Sequence, residues 1–307
     1  METRHAGADA AAAPLPVRDG VGPSRVYLPD GPWRSLLDFL TERFPHVPPE
    51  ILRERLARGD IVDRAGRPQR GEAAYAPGRW LWYYREVPGE APLPFDLPVL
   101  FRDEHLVAVD KPHFLASTPG GRYLRETALT RLRRALDMPW LTPLHRLDRE
   151  TAGVLLFCAH PDHRGAYQSL FQSRRVFKEY EAVAPLRAGL EPPARRRSRL
   201  EQCPGQFTMR EVDGPPNSET RIELMRVQDG LGWFRLMPLT GRKHQLRVHM
   251  SALGMPICND GFYPVLRPRA LEDDFSRPLR LVARAIEFVD PLSGARRRFE
   301  SLRRLEG

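Results

Sequence analysis

Apolar residues at helical spacing open the patterned part of the chain: Leu36, Leu37, Phe39 and Leu40 follow Trp33, and Ile51, Leu52 and Leu56 fall within Pro49 to Ala57. Two short amphipathic helices are predicted. The period then changes to two. Asp60-Ile61-Val62-Asp63 runs into the turn Ala65-Gly66-Arg67, and Trp80 to Tyr84 is an aromatic strand after Gly78. Two helices followed by short strands make a small α+β module over residues 26–90. Ahead of it, residues 1–25 mix Ala, Gly, Pro and isolated charges with neither period, and read as a flexible tail.

Pro92, Pro94 and Pro98 mark a linker, and residues 91–307 are read as one further domain. Leu106 to Val109 is a strand, Val154 to Ala159 a buried one, and Phe177 to Val183 alternates. Ile222 to Val227 pairs with Trp233 to Met237 across Asp229-Gly230, a hairpin turn that implies antiparallel order. Helices are scarcer: His163 to Val176, with Tyr167, Leu170 and Phe171 on one face, and another around His244 to Leu253. The fold class is α+β, a mixed, mostly antiparallel central sheet flanked by helices and basic loops.

At 307 residues, with 41% hydrophobic and 28% charged positions, the composition excludes a disordered polymer or a fibrous repeat. No apolar run reaches the ~18 residues of a membrane span, and Asp9 and Pro14 bracket Ala10 to Ala13 too closely for a signal peptide. A cytoplasmic protein without a membrane partner is expected. Cys158, Cys203 and Cys258 lie far apart, without zinc-site or disulfide spacing. Charge narrows the partner class: 48 Lys and Arg against 39 Asp and Glu leave a formal net charge of +9, which favours a polyanion such as nucleic acid. Arg accounts for 45 of the cations and Lys for only 3, a skew that reads as coding bias. Against that background Lys111, Lys178 and Lys243 are positions where Lys itself is needed.

The densest candidate for chemistry is His145-Arg146-Leu147-Asp148-Arg149-Glu150-Thr151-Ala152-Gly153, which leads into the apolar Val154-Leu155-Leu156-Phe157. Polar groups crowded at the mouth of a buried strand are where sites are built, and a carboxylate between two arginines can serve as nucleophile or base. A solvated loop is the alternative reading. Asp148 and Glu150, two apart, would share a face if the segment were a strand, which would suit a hydrolase pair. His244 and His249 are five apart rather than four, and no Cys or carboxylate completes a ligand set, so no metal site is expected. The run Pro192 to Arg199, with Arg195, Arg196, Arg197 and Arg199, is either a specificity element or a solvated arginine-rich loop.

His-Arg-Leu-Asp-Arg-x-Thr-x-Gly followed by Val-Leu-Leu-Phe resembles the signature of the RluA-type RNA pseudouridine synthases. The resemblance implies that Asp148 is the catalytic residue. Lys178-Glu179-Tyr180-Glu181-Ala182 resembles the family's Lys-x-Tyr-x-Ala strand, whose tyrosine, here Tyr180, packs against the target base. Gly241 to His249, followed by Gly254, Pro256, Ile257, Asp260 and Tyr263, resembles the third block, whose arginine pairs with the catalytic aspartate. That position is Arg247. Asp110-Lys111-Pro112 resembles the opening strand and turn, so the likeness covers nearly all of residues 98–290. The chain departs from the family pattern at Ala152, Lys243 and Asn259. Trp33 to Glu86 resembles an S4-type RNA-binding domain, with Arg53, Arg55, Arg58, Arg64 and Arg67 as its basic groups.

The resemblance implies the pseudouridine synthase fold, rRNA or tRNA as partner, and isomerisation of uridine without cofactor or metal; a monomer is expected. In that reaction the N1–C1′ bond breaks, the held uracil rotates, and C5 joins C1′. Asp148 would attack C1′, attack C6, or take the C2′ proton; the sequence leaves all three open. Tyr180 is either a stacking platform or a core tyrosine. His145, Arg146, Arg149, Lys178, Arg242, Lys243 and Gln245 are the candidates for contacting RNA, with plain surface charge as the other reading of the arginines. The alternative function is a non-catalytic RNA-binding protein on the same fold.

Overall fold

The computed structural model describes residues 13–87, 89–186, 193–267 and 273–305. It divides into two compact units, Met1–Glu90 and Ala91–Gly307. The first holds strand β1 (Ser24–Leu28), helices α1 (Leu36–Arg43) and α2 (Pro49–Ala57), and strands β2 (Ile61–Val62) and β3 (Arg79–Tyr83), the strands forming an antiparallel sheet in the order β1-β3-β2. Helix α1 begins where the sequence supplies a capping box: Ser35 Oγ accepts from Asp38 N at 3.1 Å and the Asp38 carboxylate accepts from Ser35 N at 3.0 Å. Leu36, Phe39 and Leu40 of α1 and Leu52 and Leu56 of α2 then bury against Val26, Leu28, Ile61 and Leu81, each such side chain contributing about 2 kcal/mol.

The flexible tail expected over residues 1–25 does not hold for residues 16–25. Residues 1–12 lie outside the described residues, but the Tyr84 hydroxyl donates to Pro16 O (2.6 Å), Arg18 and Val21 exchange backbone hydrogen bonds, and β1 starts at Ser24. Contacts with the end of β3, distant in sequence, order a stretch that has no period of its own.

The second unit contains β4 (Val99–Arg102), β5 (Leu106–Lys111), α3 (Ala128–Leu136), β6 (Thr142–Pro143), β7 (Ala152–Cys158), α4 (Arg164–Gln172), β8 (Val176–Pro185), β9 (Arg195–Gln202), β10 (Met209–Val212), β11 (Ser218–Gln228), β12 (Leu231–Pro238), α5 (Gln245–Ala252), β13 (Leu281–Val289) and β14 (Arg296–Glu300). The strands form one sheet in the order β10-β9-β11-β12-β8-β13-β7-β5-β4, with β14 on β13 and β6 on β7. The pairs are antiparallel except β13 with β7, which run parallel through Val282↔Ala152 and Ala283↔Gly153.

Strands β5 and β7 are apolar on both faces because both are covered. Leu106, Ala108, Val154 and Leu156 meet Tyr167 and Leu170 of α4. Val107, Val109, Leu155 and Phe157 meet Leu129 and Leu132 of α3. Helix α5 packs Leu246 and Met250 on Ala182, Phe234 and Leu236. Helix α3 went unpredicted although Thr127 caps it, accepting from Thr130 N at 3.2 Å, and Leu129, Leu132 and Leu136 carry helical spacing. The helix expected to run from His163 to Val176 stops at Gln172, where Arg174 turns left-handed (φ 57°) and releases the chain into β8.

From Arg195 onward the arginine-rich run is a strand rather than a loop; Pro192 lies outside the described residues. In β9, Ser198 and Leu200 face inward while the arginines are matched by acids: Arg195 and Arg197 with Glu219 (3.1 and 3.5 Å), Arg196 with Glu211, and Arg199 with Glu201 (2.8 Å). Cross-strand charge pairing holds this edge together.

Candidate active site

Segment 145–151 is an irregular turn between β6 and β7, closed by Thr151 N to Asp148 O at 3.1 Å. The connection after β5 clamps its backbone from behind. Ser117 Oγ donates to Leu147 O (2.7 Å) and accepts from Leu147 N (3.0 Å), while His113 Nδ1 lies 2.6 Å from Glu150 O. Lys111 Nζ, fully buried, donates to Pro112 O (3.0 Å), Leu115 O (2.7 Å) and Arg149 O (3.2 Å). Three carbonyls match the three N–H bonds of an ammonium. Burial pushes the Lys111 pKa down to about 7, against the pull of Glu150 and Asp148. Residues on both sides of Asp148 are thus pinned by groups more than 25 positions away in sequence.

Gly153 explains the glycine of the same segment. Its φ of 113° is closed to other residues, and a Cβ there would sit 2.2 Å from Ala283 O, inside the parallel β7–β13 contact.

Helix α5 supplies the counter-charge. Arg247, 1% exposed, holds Asp260 by two bonds, Nε to Oδ2 at 2.8 Å and Nη2 to Oδ1 at 2.6 Å. Its remaining nitrogen, Nη1, reaches Asp148 Oδ2 at 3.2 Å and Glu150 Oε2 at 3.5 Å. The guanidinium also lies 4.3 Å from the centre of the Phe262 ring. Burial opposes its charge, but the Asp260 bonds and the three carboxylates together outweigh that and raise its pKa further. His244, buried at the left-handed residue that opens α5 (φ 55°), places Nε2 4.0 Å from Asp148 and Nδ1 2.9 Å from Tyr263 Oη. Burial lowers its pKa to about 4, so the ring is neutral near pH 7.

Asp148 itself is 27% exposed and lines a cavity of about 690 Å³ with Tyr180, Leu147, Ser117, Arg146 and Lys243. Tyr180 on β8 is raised well above the usual phenol range by burial and then by the Asp148 charge, so its hydroxyl stays protonated. That hydroxyl has no partner among the described residues, leaving a donor for whatever fills the cavity. The arrangement offers a carboxylate, a protonated phenol and an apolar wall around one space.

The structure brings Asp148, Tyr180 and Arg247 to this cavity, with His145, Arg146, Arg149, Lys178, Arg242, Lys243 and Gln245 also on its wall. Arg146 is exposed and makes no bond among the described residues, which suits an anion. Other expected RNA contacts are engaged within the protein. His145 accepts from Leu156 N (3.2 Å), stacks on Phe171, and is pushed by burial to a pKa of about 3, so it is no cation. Arg149 is tied to Asp273 and covers the Phe114 and Tyr123 rings. Gln245 is buried, its amide spent on Thr240, Arg242 N, Glu219 O and Thr220. Lys178 donates to Thr240 O (3.2 Å), Lys243 to Phe207 O, and Arg242 to Asn217 O (3.2 Å).

The strand face proposed for Asp148 and Glu150 does not exist, since both stand in the turn and converge on Arg247 instead. In the sequence Asp260 stands out only as one position of the third block, yet a buried arginine demands such a partner. Lys111, Ser117 and His113 were not foreseen as supports. His249 sits apart, 2.9–3.1 Å from Thr220, Ser218 and Ser198. No helix among the described residues is long and apolar enough to cross a membrane.

Residues 105–252 match the family model described as RNA pseudouridylate synthase. An uncharacterized RNA pseudouridine synthase of Synechocystis is 30% identical over 233 residues, covering 74% of this chain and 79% of that protein. The dual-specificity RNA pseudouridine synthase RluA of Vibrio cholerae is 32% identical over 211 residues, 64% of this chain and 79% of that one, and that of Escherichia coli K12 is 33% identical over 182, 57% and 80%. Among solved structures, human RNA pseudouridylate synthase domain containing 1 superposes with a TM-score of 0.52 at 23% identity, over 67% of this chain and 83% of that one, a likeness of fold. The matched segment holds both the Asp148 turn and the Arg247 helix, and on it the chain belongs to the RluA-type RNA pseudouridine synthases.

Proposed function

We propose that Asp148 is the residue that opens the glycosidic bond of a uridine in rRNA or tRNA, with Tyr180 holding the detached uracil and Arg247 keeping the carboxylate in place. One observation carries this reading: Asp148 is the carboxylate on the cavity wall that is held from behind by a guanidinium, itself immobilised by Asp260. The N1–C1′ bond breaks, uracil turns within the cavity, C5 bonds to C1′, the C5 hydrogen leaves as a proton and N1 takes one up. Atoms and electrons balance within the nucleotide, so nothing is consumed. The Asp148 carboxylate is placed for attack on C1′ or C6 or for removal of the C2′ proton; the apolar Leu147 and Tyr180 ring exclude water while the sugar is activated.

To reach Asp148 the uridine leaves its stack at a cost of a few kcal/mol. Arg146 supplies a phosphate contact at the mouth. Residues 26–90 serve as an S4-like RNA-binding module, and the enzyme works as a cytoplasmic monomer. The test is tritium release from RNA labelled at uridine C5. Asp148→Ala and Asp148→Asn are expected to abolish release while RNA affinity stays within about twofold, because most affinity comes from phosphate contacts. Release by either variant at the wild-type rate would overturn the assignment.

A further inference from the structure

The basic groups first expected to face RNA in residues 26–90 are mostly satisfied within the protein. Arg53 pairs with Glu50 (3.5 Å), Arg55 with Glu86 (2.7 Å), Arg58 with Asp60 (2.8 Å) and Arg67 with Asp63 (2.9 Å). A different surface of the same unit has the opposite character. Val26, Leu28 and Leu81 point into the core, so their neighbours Arg25, Tyr27 and Trp80 stand on the other face of the sheet, with Trp82, itself buried at 7% exposure, beside them and Tyr84 continuing that row. Tyr27 and Trp80 are directly opposite in register, with ring centres 5.1 Å apart, and Tyr27 is 44% exposed. Arg25 lies over Trp80 at 4.3 Å and Arg18 over Tyr84 at 4.4 Å. Neither guanidinium has a carboxylate within ion-pair distance among the described residues.

We propose that the outer face of β1 and β3 binds a single-stranded segment of the RNA substrate, a base stacking on Tyr27 beside the Arg25-covered Trp80 ring and phosphates taken by Arg18 and Arg25. Aromatic faces accept any base, and a guanidinium lying flat on a ring keeps its N–H edge free for a phosphate. Two arginines without acids, in a chain of net charge +9, match a polyanion rather than a second protein. The inference deepens the reading of this unit as an RNA-binding module and moves its contact surface from the helices to the sheet.

The test uses full-length protein and fluorescein-labelled RNA, a 12-nucleotide oligouridylate and a 12-base-pair duplex, titrated at several salt concentrations. Tyr27→Ser is expected to weaken oligouridylate binding about tenfold. Arg18→Gln with Arg25→Gln is expected to lower the slope of log affinity against log salt by about 1.4, or ~0.7 for each lost phosphate contact. A merely structural role would not change that slope. Duplex affinity should be unchanged in both. Arg53→Gln with Arg64→Gln separates the two surfaces: weaker binding in that variant alone overturns this proposal and leaves the module reading standing. Unchanged affinity and slope in the Tyr27 and Arg18/Arg25 variants also overturn it, as would loss of self-association in place of loss of RNA binding. Because no turnover is read, the outcome is independent of the role given to Asp148.

Discussion

Asp260→Asn isolates what holds the arginine behind the Asp148 carboxylate. Arg247 and Asp260 are both essentially removed from solvent and joined by two hydrogen bonds, whereas the Asp148 and Glu150 side chains on Nη1 keep 27% and 22% exposure. Breaking a buried pair by neutralising one member costs about 3–5 kcal/mol, since the other charge is left without full compensation. Asn retains one acceptor, which can still serve Phe262 N (2.8 Å from Asp260 Oδ1), but it turns an amide N–H toward a guanidinium that also only donates. Two carboxylates remain on Nη1, so the lower end, about 3 kcal/mol, is expected.

Urea unfolding followed by hydrogen exchange of peptides from β7 and β13 reads this loss in residues 91–307 separately from residues 1–90. The control is Glu201→Gln, which removes the ion pair with Arg199, whose side chains are 38% and 47% exposed, and should change stability by no more than ~0.5 kcal/mol. Turnover of Asp260→Asn should fall as well, because Nη1 loses the anchor that aims it at Asp148. A loss below about 1 kcal/mol would refute the argument that burial makes this pair structural.

The remaining expectations concern the frame around the site. Burial lowers the pKa of His113, His244 and His249 to about 4 and of His145 to about 3. The unfolded chain, with histidines near 6.5, therefore binds more protons between these values; stability is fully present above about pH 6.5 and lost as pH falls toward 4, by up to ~1.4 kcal/mol per pH unit for each histidine. A urea midpoint that is flat from pH 7 to 5 would contradict this. Lys111→Met strips three buried carbonyls of their donor and should cost at least about 2 kcal/mol, along with turnover, read by thermal unfolding and tritium release. An unchanged melting temperature would show that water replaces the ammonium. Gly153→Ala forces a Cβ against Ala283 at a positive φ and should destabilise by about 3 kcal/mol or more; wild-type stability would mean that the β7–β13 contact can open.

What could be read in the sequence was whatever is written locally. Helices α1 and α2, the strands at Leu106 and Val154, and the β11–β12 hairpin announce themselves by period and turn. Asp148 stands in a string dense enough to notice, and resemblance rather than periodicity gave it a role. The supports were hidden because each joins distant segments: Lys111 to Arg149, Ser117 to Leu147, Tyr84 to Pro16. Strand β9 is not legible as a strand because its arginines obscure a period of two that only Ser198 and Leu200 carry, and its partners Glu211 and Glu219 lie on other strands.

One compositional clue pointed at this hidden layer. In a chain with 45 Arg, each of the 3 Lys donates to a main-chain carbonyl: Lys111 to three of them, Lys178 to Thr240 O, and Lys243 to Phe207 O. A guanidinium is a planar fork suited to a carboxylate, and Arg247 uses it so on Asp260. An ammonium is a compact tetrahedral donor, able to sit among three carbonyls where a fork would leave N–H groups unpaired in a buried space. Lys111 is the strongest case, since its cage closes on Arg149 O, one residue from Asp148. The same reasoning forecasts that Lys111→Arg, which keeps the charge, fails to restore what Lys111→Met removes.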